Sequence, residues 1–518
     1  MFGFYNGANM RNIFSALVLF ILIMSIIGCT NNILINKNTI KEIRKDIRKD
    51  ISKDISVEKW QNTVKTFGGT WTDIGNSCTV CKDGSILIVG VTNSRDGDLP
   101  NRTFYPELIR KKEYKLSATD LWVLKVDPQD GRILYNQCFG GSGDDAGFSI
   151  VETADENIIV IGTTDSIDGD LVDIPRESKY NLWLLKIDPR KNKIIYNKLI
   201  GGMYPVGLDI HANSLIETSD GNIAITAQVN TEKYSEPLVP EATNKTELAP
   251  KTKKGDLWVL KVDLQNDKIM YSKCFGGWET DGGVAIMESE DKNLVVVGNT
   301  RSRDGDVVKP SKYRGSDIWV LKIDPCENKI LYNKCFGGLF DDVAASAVKC
   351  RDGSILISGS TKSMDGHLSG KRGTSREQAR YDNLPVTWVI KINIEKDTIL
   401  YNECFNETDE GISVVETKDG CVFLAEITIN TFEGRHIKED KSLLVRKINL
   451  NTDEIFYKSS FDASARAIAE TQDGRIVVVG PSVEEEKRRD IFSNVVGKSD
   501  LWYLTISPIL EEFDSPKK

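Results

Sequence analysis

Histidine is almost missing from this chain: there are three in 518 residues, His211, His367 and His436. They lie far apart, and no nucleophile elbow, HExxH helix or phosphate-cradling glycine loop accompanies them. The usual signatures of serine hydrolases, zinc proteases and nucleotide-driven enzymes are therefore absent. A basic surplus is missing as well. With 67 Lys and Arg against 76 Asp and Glu, the formal net charge is -9. Neutralising phosphates requires clustered Lys and Arg, so nucleic acid is excluded as the main partner. There is no compositional bias either: 40% of the residues are hydrophobic and 28% charged, as in a soluble globular protein with ample material for a core.

What is present begins at the N-terminus. Arg11 precedes an apolar run from Ile13 to Ile27, broken by Ser15 and Ser25, that ends in Ile26-Ile27-Gly28-Cys29. A short apolar core behind a basic residue and before small residues predicts a secretory signal over residues 1–28 rather than a membrane span. Its last four residues resemble the lipobox of bacterial lipoproteins. That resemblance implies cleavage before Cys29 and acylation of this cysteine, for example with palmitate. An uncleaved anchor helix is the alternative, and both readings set the remainder outside the cytoplasm, beside a membrane. Thr30 and Asn31 lack the aspartate that retains some lipoproteins at the inner membrane, so the expected address is the outer membrane of a bacterial cell envelope. Residues 29–58 are charged, with Ile43, Ile47, Ile51 and Ile55 spaced four apart. At helical pitch this is a narrow apolar stripe, either a stalk helix or, more plainly, a solvated tether.

One unit then recurs seven times. Phe-Gly-Gly or its remnant stands at Phe67, Phe139, Ile200, Phe275, Phe336, Phe405 and Phe461, at intervals of 56 to 75 residues, with the same later landmarks in the same order. Such self-similarity governs the fold before any secondary structure is read. In the second copy, Phe148 to Thr153 and Ile158 to Thr164 flank a tight polar turn. Other copies write that turn as Asp83-Gly84, Asp352-Gly353 or Asp473-Gly474, a hairpin signal. Leu182 to Ile187 and Ile194 to Leu199 flank a second turn opened by Asp188-Pro189, since proline cannot sit inside a paired strand. Four antiparallel strands, seven times over, predict an all-β fold: a single seven-bladed β-propeller over residues 59–508, with 509–518 as a tail. Trp122, Trp183, Trp258, Trp319, Trp388 and Trp502 hold one position of the third strand, with Leu444 in the sixth copy, and are expected to pack blade on blade. The seventh copy stops after its third strand, while Lys59 to Thr66 precedes the first Phe-Gly-Gly as a fourth strand precedes each later one. This N-terminal strand is expected to complete the last blade and leave no free sheet edge.

The set FGG, DxG, Glu-Thr-x-Asp-Gly, SxDGDL and Asp-x-Trp-x-x-Lys-x-Asp resembles the propeller repeats of secreted and lipid-anchored bacterial surface proteins, over about residues 59–508. The resemblance implies a fold and little about activity. DPQDGRILY and DLQNDKIMY are similar to turn motifs of quinone-dependent dehydrogenase propellers, but the other landmarks do not fit, and these runs read as strand 3–4 turns. Departures from the repeat gather in copies three, six and seven. Ile200 replaces Phe, Asn406-Glu407 replaces Gly-Gly, and Glu426 stands where Gly90, Gly162, Gly298 and Gly359 do elsewhere.

Strand parity sorts the turns onto two faces. The strand 2–3 inserts, such as Pro100 to Ala118, Asn230 to Lys254, Ser369 to Pro385 and Ser482 to Lys498, share one face with the strand 4–1 Phe-Gly-Gly loops. Variable loops on a rigid frame are where binding usually evolves. That face carries Asp96 and Asp98, Asp168 and Asp170, Asp304 and Asp306, then Asp365 with His367 in the second acid's place; the strand 4–1 loop adds Asp73, Asp145, Asp281, Asp342 and Asp409. Paired carboxylates can present oxygen to a hard cation such as calcium, although a full site needs six or more ligands. The plainer reading is that these aspartates accept backbone N–H bonds in tight turns. No cofactor is otherwise expected.

Of ten cysteines, Cys29 belongs to the anchor. Cys138, Cys274, Cys335 and Cys404 each precede the Phe of a different copy and are expected to act as small buried hydrophobes, too far apart to pair. Cys78 and Cys81 have CxxC spacing but no second pair to complete a zinc site. Three apart on a strand, they should point to opposite faces of the sheet. Cys326, Cys350 and Cys421 have no partner legible in the sequence. The functional expectation is a non-catalytic envelope lipoprotein, held to the membrane by Cys29, whose loop face binds or scaffolds a protein or glycan. A scaffold similar to the propeller lipoproteins of outer-membrane protein assembly is one form of this. The alternative is an envelope hydrolase or lyase with acids at the channel mouth.

Overall fold

The structure, a computed structural model, describes residues 60–100, 118–175, 181–201, 209–230, 255–308, 315–370, 385–405, 410–430, 440–482 and 499–508. Cys29, the tether, the tail, Asp409, His436 and most of the long inserts lie outside them, as does the side chain of His211. No helix among the described residues is long and apolar enough to cross a membrane.

Seven four-stranded antiparallel sheets follow one another along the chain. Blade 1 consists of Asp73–Val80, Ile86–Thr92, Asp120–Val126 and Ile133–Phe139, and blade 2 of Asp145–Glu152, Ile158–Thr164, Asn181–Asp188 and Lys193–Ile200. Blade 3 is built from Asp209–Glu217, Ile223–Asn230, Asp256–Asp263 and Lys268–Phe275, and blade 4 from Asp281–Glu288, Leu294–Thr300, Asp317–Asp324 and Lys329–Phe336. Blade 5 takes Asp342–Lys349, Ile355–Thr361, Val386–Asn393 and Thr398–Phe405, and blade 6 Glu410–Glu416, Val422–Asn430, Asp440–Asn449 and Glu454–Phe461. Blade 7 has Ala467–Glu470, Ile476–Pro481 and Leu501–Pro508 from the C-terminal end; its fourth strand is Trp60–Phe67, antiparallel to Leu501–Pro508 in continuous register from Trp60 opposite Pro508 to Phe67 opposite Leu501. The ring is closed by the N-terminal strand, and the fold is a β-propeller.

The core is not central. It is divided into seven apolar clusters, one at each blade junction. Alternation within a strand sends neighbouring side chains to opposite sheet faces, and because each blade is covered on both faces its middle strands read as near-continuous apolar runs. In blade 1, for example, Ile88 and Trp122 pack toward blade 7 while Val89 and Val123 pack toward blade 2. Every third-strand tryptophan is at most 7% exposed and faces the preceding blade. Five of them donate their indole N–H to a side chain of the fourth strand: Trp122 to Asn136, Trp183 to Asn197, Trp258 to Ser272, Trp319 to Asn333 and Trp388 to Asn402, at 2.7–3.0 Å. The indoles are core residues with a satisfied polar atom.

The face of the strand 1–2 turns is tied together by the repeat itself. The glutamate that ends a first strand accepts an N–H from the turn of the preceding blade: Lys82 to Glu152, Ala154 to Glu217, Ser219 to Glu288, Arg351 to Glu416 and Lys418 to Glu470. Gln472 of blade 7 donates to Lys82 O of blade 1, carrying the series across the closure. The motif lysine of the third strand pairs with the turn aspartate, as in Lys186 with Asp155 and Lys261 with Asp220, both at 2.7 Å.

Candidate functional site: the loop face

The six acids of the DGD motifs accept from the adjacent strand 4–1 loop. Asp96 accepts the N–H of Thr70, Asp168 that of Ser142 and Asp304 that of Trp278, at 2.6–2.8 Å. The second acid takes the first glycine of the Phe-Gly-Gly loop: Gly68 donates to Asp98, Gly140 to Asp170 and Gly276 to Asp306, at 2.9–3.2 Å. In blade 5, Asp365 accepts from Leu339, and His367 Nδ1 receives the Gly337 N–H at 3.2 Å, so this histidine fills the acid's place as an acceptor. The strand 2–3 loop thus clamps the strand 4–1 loop through main-chain hydrogen bonds.

Asp73, Asp145, Asp281 and Asp342, which the sequence places in the strand 4–1 loop, are completely buried at the first residue of each first strand. This corrects the expected position. Each accepts the serine hydroxyl of the SxDGD motif, from Ser94, Ser166, Ser302 and Ser363, at 2.6–2.7 Å. The same oxygens accept the N–H of Gly69, Gly141, Gly277 and Gly338. Burial pushes these carboxyls up, against the lowering effect of the donors: Asp145 to about 7 and Asp342 to about 6, with Asp73 and Asp281 also raised.

A second carboxylate meets each of them across the junction. The third-strand openers Asp120, Asp256 and Asp317 are buried. A Cβ on Gly276 would lie 2.5 Å from Asp281 Oδ2 and 2.7 Å from Asp256 Oδ1, so the two carboxylates converge on that glycine. Gly140 and Gly337 are placed in the same way between Asp145 and Asp120 and between Asp342 and Asp317. Asp500 is the corresponding neighbour of Asp73, which its charge helps to raise. In blade 3 the positions held in blade 2 by Asp145 and its cross-strand partner Thr164 fall to Ile210 and Val229, and the opener of the preceding third strand is Asn181. In blade 7 Ala463 stands opposite Ser482, and the preceding opener is Ser442. In blade 6 the preceding opener is Val386, although the sequence keeps an acid, Asp409, at the first-strand position, outside the described residues.

The cysteines also find their places in the repeat. Cys78 packs between blades 7 and 1 and Cys81 between blades 1 and 2, so the CxxC pair is split by the sheet, and burial pushes both thiols up to about 12. Cys81 and Cys350 hold the turn position that Thr153, Thr218 and Thr471 hold elsewhere. There the hydroxyl bonded to the turn aspartate comes from Ser85 or Ser354 instead. Of the four cysteines before Phe, Cys274 is buried, while Cys138, Cys335 and Cys404 are half-buried at the rims of the clusters. Among the described residues, Cys350, Asp352 and Glu416 are close enough to hold a metal. Lys391 Nζ already bridges the two acids at 3.1 and 3.2 Å, and burial pushes the Cys350 thiol up to about 12, away from the thiolate a metal needs. Blade 1 repeats the arrangement with Lys125 between Asp83 and Glu152.

What does not repeat lies at the junction of blades 3 and 4. Blade 4 opens with Asp281-Gly282-Gly283, where Ile74 and Val343 hold the position of Gly282 in blades 1 and 5. A cavity of about 320 Å3 lies there, lined by Asn213, Gln228, Thr280, Asn299, Arg301 and Ser316 beside the two glycines. Thr280, Arg301 and Ser316 bring it to the loop face. The same face exposes Trp71, Trp278 and Phe340 from three strand 4–1 loops, at 43%, 70% and 51%.

No family model matches the chain, and no curated protein matches it. Among solved structures, it is similar to a protein of unknown function from Bacteroides caccae at 11% identity, covering 66% of this chain and 90% of that one with a TM-score of 0.35. A protein of unknown function from Dyadobacter fermentans matches at 11% identity over 70% and 94% of the two chains, with a TM-score of 0.39. The Pan2 WD40 domain of Neurospora crassa matches at 8% identity over 88% and 98%, with a TM-score of 0.45.

Proposed function

We propose that the chain is a non-catalytic bacterial envelope lipoprotein, anchored through acylated Cys29 at the outer membrane, whose propeller loop face binds or scaffolds a protein or glycan. The observation that carries the reading is the contrast between the faces. The strand 1–2 turns are joined at five junctions by the same glutamate staple, whereas the loop face exposes Trp71, Trp278 and Phe340 and carries the cavity. A hydrolase or lyase draws no support from the DGD acids, whose oxygens accept main-chain N–H groups. The expected outcome in cells is twofold. Cross-linking from loop-face positions captures a stable partner, and Cys29→Ala releases the protein from the membrane fraction and abolishes incorporation of a labelled fatty acid. Recovery of a turned-over small molecule with no stable partner would sink the binding role; unchanged acylation of the Cys29→Ala variant would sink the anchor. Calcium at the DGD acids drops out if elemental analysis of the purified protein finds none.

A further inference from the structure

We infer that the cavity between blades 3 and 4, with the aromatics beside it, takes a carbohydrate. The inference rests on the binding role proposed above and gives it a place and a ligand class. Gly282 lines the cavity and lacks the side chain that Ile74, Ala146 and Val343 supply at this position in blades 1, 2 and 5. Its volume of about 320 Å3 sits at the lower end of the roughly 300–1,000 Å3 of small-molecule sites, room for one sugar ring rather than a folded segment. Its walls are polar, which disfavours a lipid chain. The side chains of Gln228 and Thr280 have no hydrogen-bond partner among the described residues, and they offer donors and acceptors of the kind that sugar hydroxyls require. Arg301 touches Asp341 at only 3.6 Å, which leaves most of its N–H fork available, while the neighbouring acid offsets its charge and weighs against a phosphate.

A pyranose also presents a C–H face that packs on an aromatic ring. Trp278 stands two residues before Thr280 in the same loop and is 70% exposed. Its backbone N–H makes the bond to Asp304 that Thr70 and Ser142 make to Asp96 and Asp168, so the loop's own hydrogen bonding does not require an indole there. On the other side, a Cβ on Gly315 would meet the carbonyl of Phe340, which places that half-exposed ring's backbone next to Ser316 of the cavity wall. Polar groups inside and aromatic surface at the rim are the two halves of sugar recognition.

The test is saturation-transfer NMR and calorimetry of the full chain against chitotriose, maltotriose and a glucuronate-containing oligosaccharide. At least one should bind saturably. Gly282→Val refills the cavity with the side chain that blade 5 carries, and Trp278→Ala removes the platform. Each should weaken binding tenfold or more with an unchanged thermal melt. Trp71→Ala, an exposed tryptophan of blade 1 on the same face, should leave it unchanged. The inference is overturned if none of the three sugars saturates, or if Trp71→Ala weakens binding as much as Trp278→Ala. Should the sugars fail while cross-linking from the loop face still captures a partner, the carbohydrate inference falls and the binding role stands. Failure of both removes the binding role itself.

Discussion

Glu426 occupies a position where a Cβ would collide with main chain in most blades, as at Gly298, whose Cβ would meet the Gly282 carbonyl. Blade 6 accommodates it by changing two other residues on the same side of the sheet. Leu444 replaces the tryptophan, and Arg446 replaces the leucine that Leu124 and Leu185 represent in blades 1 and 2. The volume given up by the indole is filled by a fully buried ion pair, with Arg446 Nε donating to Glu426 and its guanidinium 4.9 Å from the Phe405 ring of blade 5. Arg446 Nη2 has no hydrogen-bond partner among the described residues. A buried pair stabilises little, but stranding one member is costly. Arg446→Leu alone should lower unfolding free energy by about 3–5 kcal/mol. The triple change Glu426→Gly, Leu444→Trp and Arg446→Leu, which restores the repeat, should be neutral or stabilising by up to about 4 kcal/mol. Chemical denaturation of both variants checks this, and a triple variant as unstable as the single one would mean that the pair is required by its surroundings.

At the level of strands, the carboxylate pairs make the junctions sensitive to pH. Burial raises the first-strand carboxyl of each pair and so favours its neutral form. Asn181, which opens the third strand of blade 2 where blades 1, 3 and 4 have Asp120, Asp256 and Asp317, shows the alternative, a residue that is neutral at every pH. The sign follows from Asp145, raised from 3.8 to about 7 by burial. The folded state holds the extra proton between these values, so the stabilisation is fully present below about pH 4 and is lost as pH rises toward 7, with a slope of up to about 1.4 kcal/mol per pH unit. Asp155 works in another window. Burial acts upward on it, but Lys186 and Thr153 outweigh burial and hold it low, so its contribution fades only below about pH 4. Unfolding free energy should therefore be higher at pH 5 than at pH 8, and Asp145→Asn should reduce that difference. An unchanged pH profile in the Asn variant would show that Asp145 is ionised in the folded ring.

For the whole molecule, closure decides cooperativity. Because the core is divided among seven junctions, each blade depends on its two neighbours, and an open blade 7 would expose the paired edge of Leu501–Pro508. Deleting the chain through Thr66 should abolish the single cooperative melt and make blade 7 the first site of proteolysis. A deletion variant with an intact melt would show that the ring holds without its N-terminal strand.

Much of this was legible in the sequence because repetition turns one chain into its own comparison. Blade number, strand order, turn positions and the closing strand all follow from landmarks that recur in order, and the third-strand tryptophans announce blade-on-blade packing by their fixed place. The acids were only half legible. DGD was readable as turn chemistry, but nothing in DxG announces that Asp145 is buried or that Asp120, whose partner lies in the next blade, shares its glycine; that contact joins strands from two different sheets. The cavity was least legible, since Gly282-Gly283 looks like one more pair of glycines until the register shows Gly282 at the position that Ile74 and Val343 hold in blades 1 and 5. Sequence determined the architecture, because periodic apolar and turn residues act locally and repeat. Tertiary structure alone decided which polar groups are sealed and which are open, because that depends on what the neighbouring blade places against them.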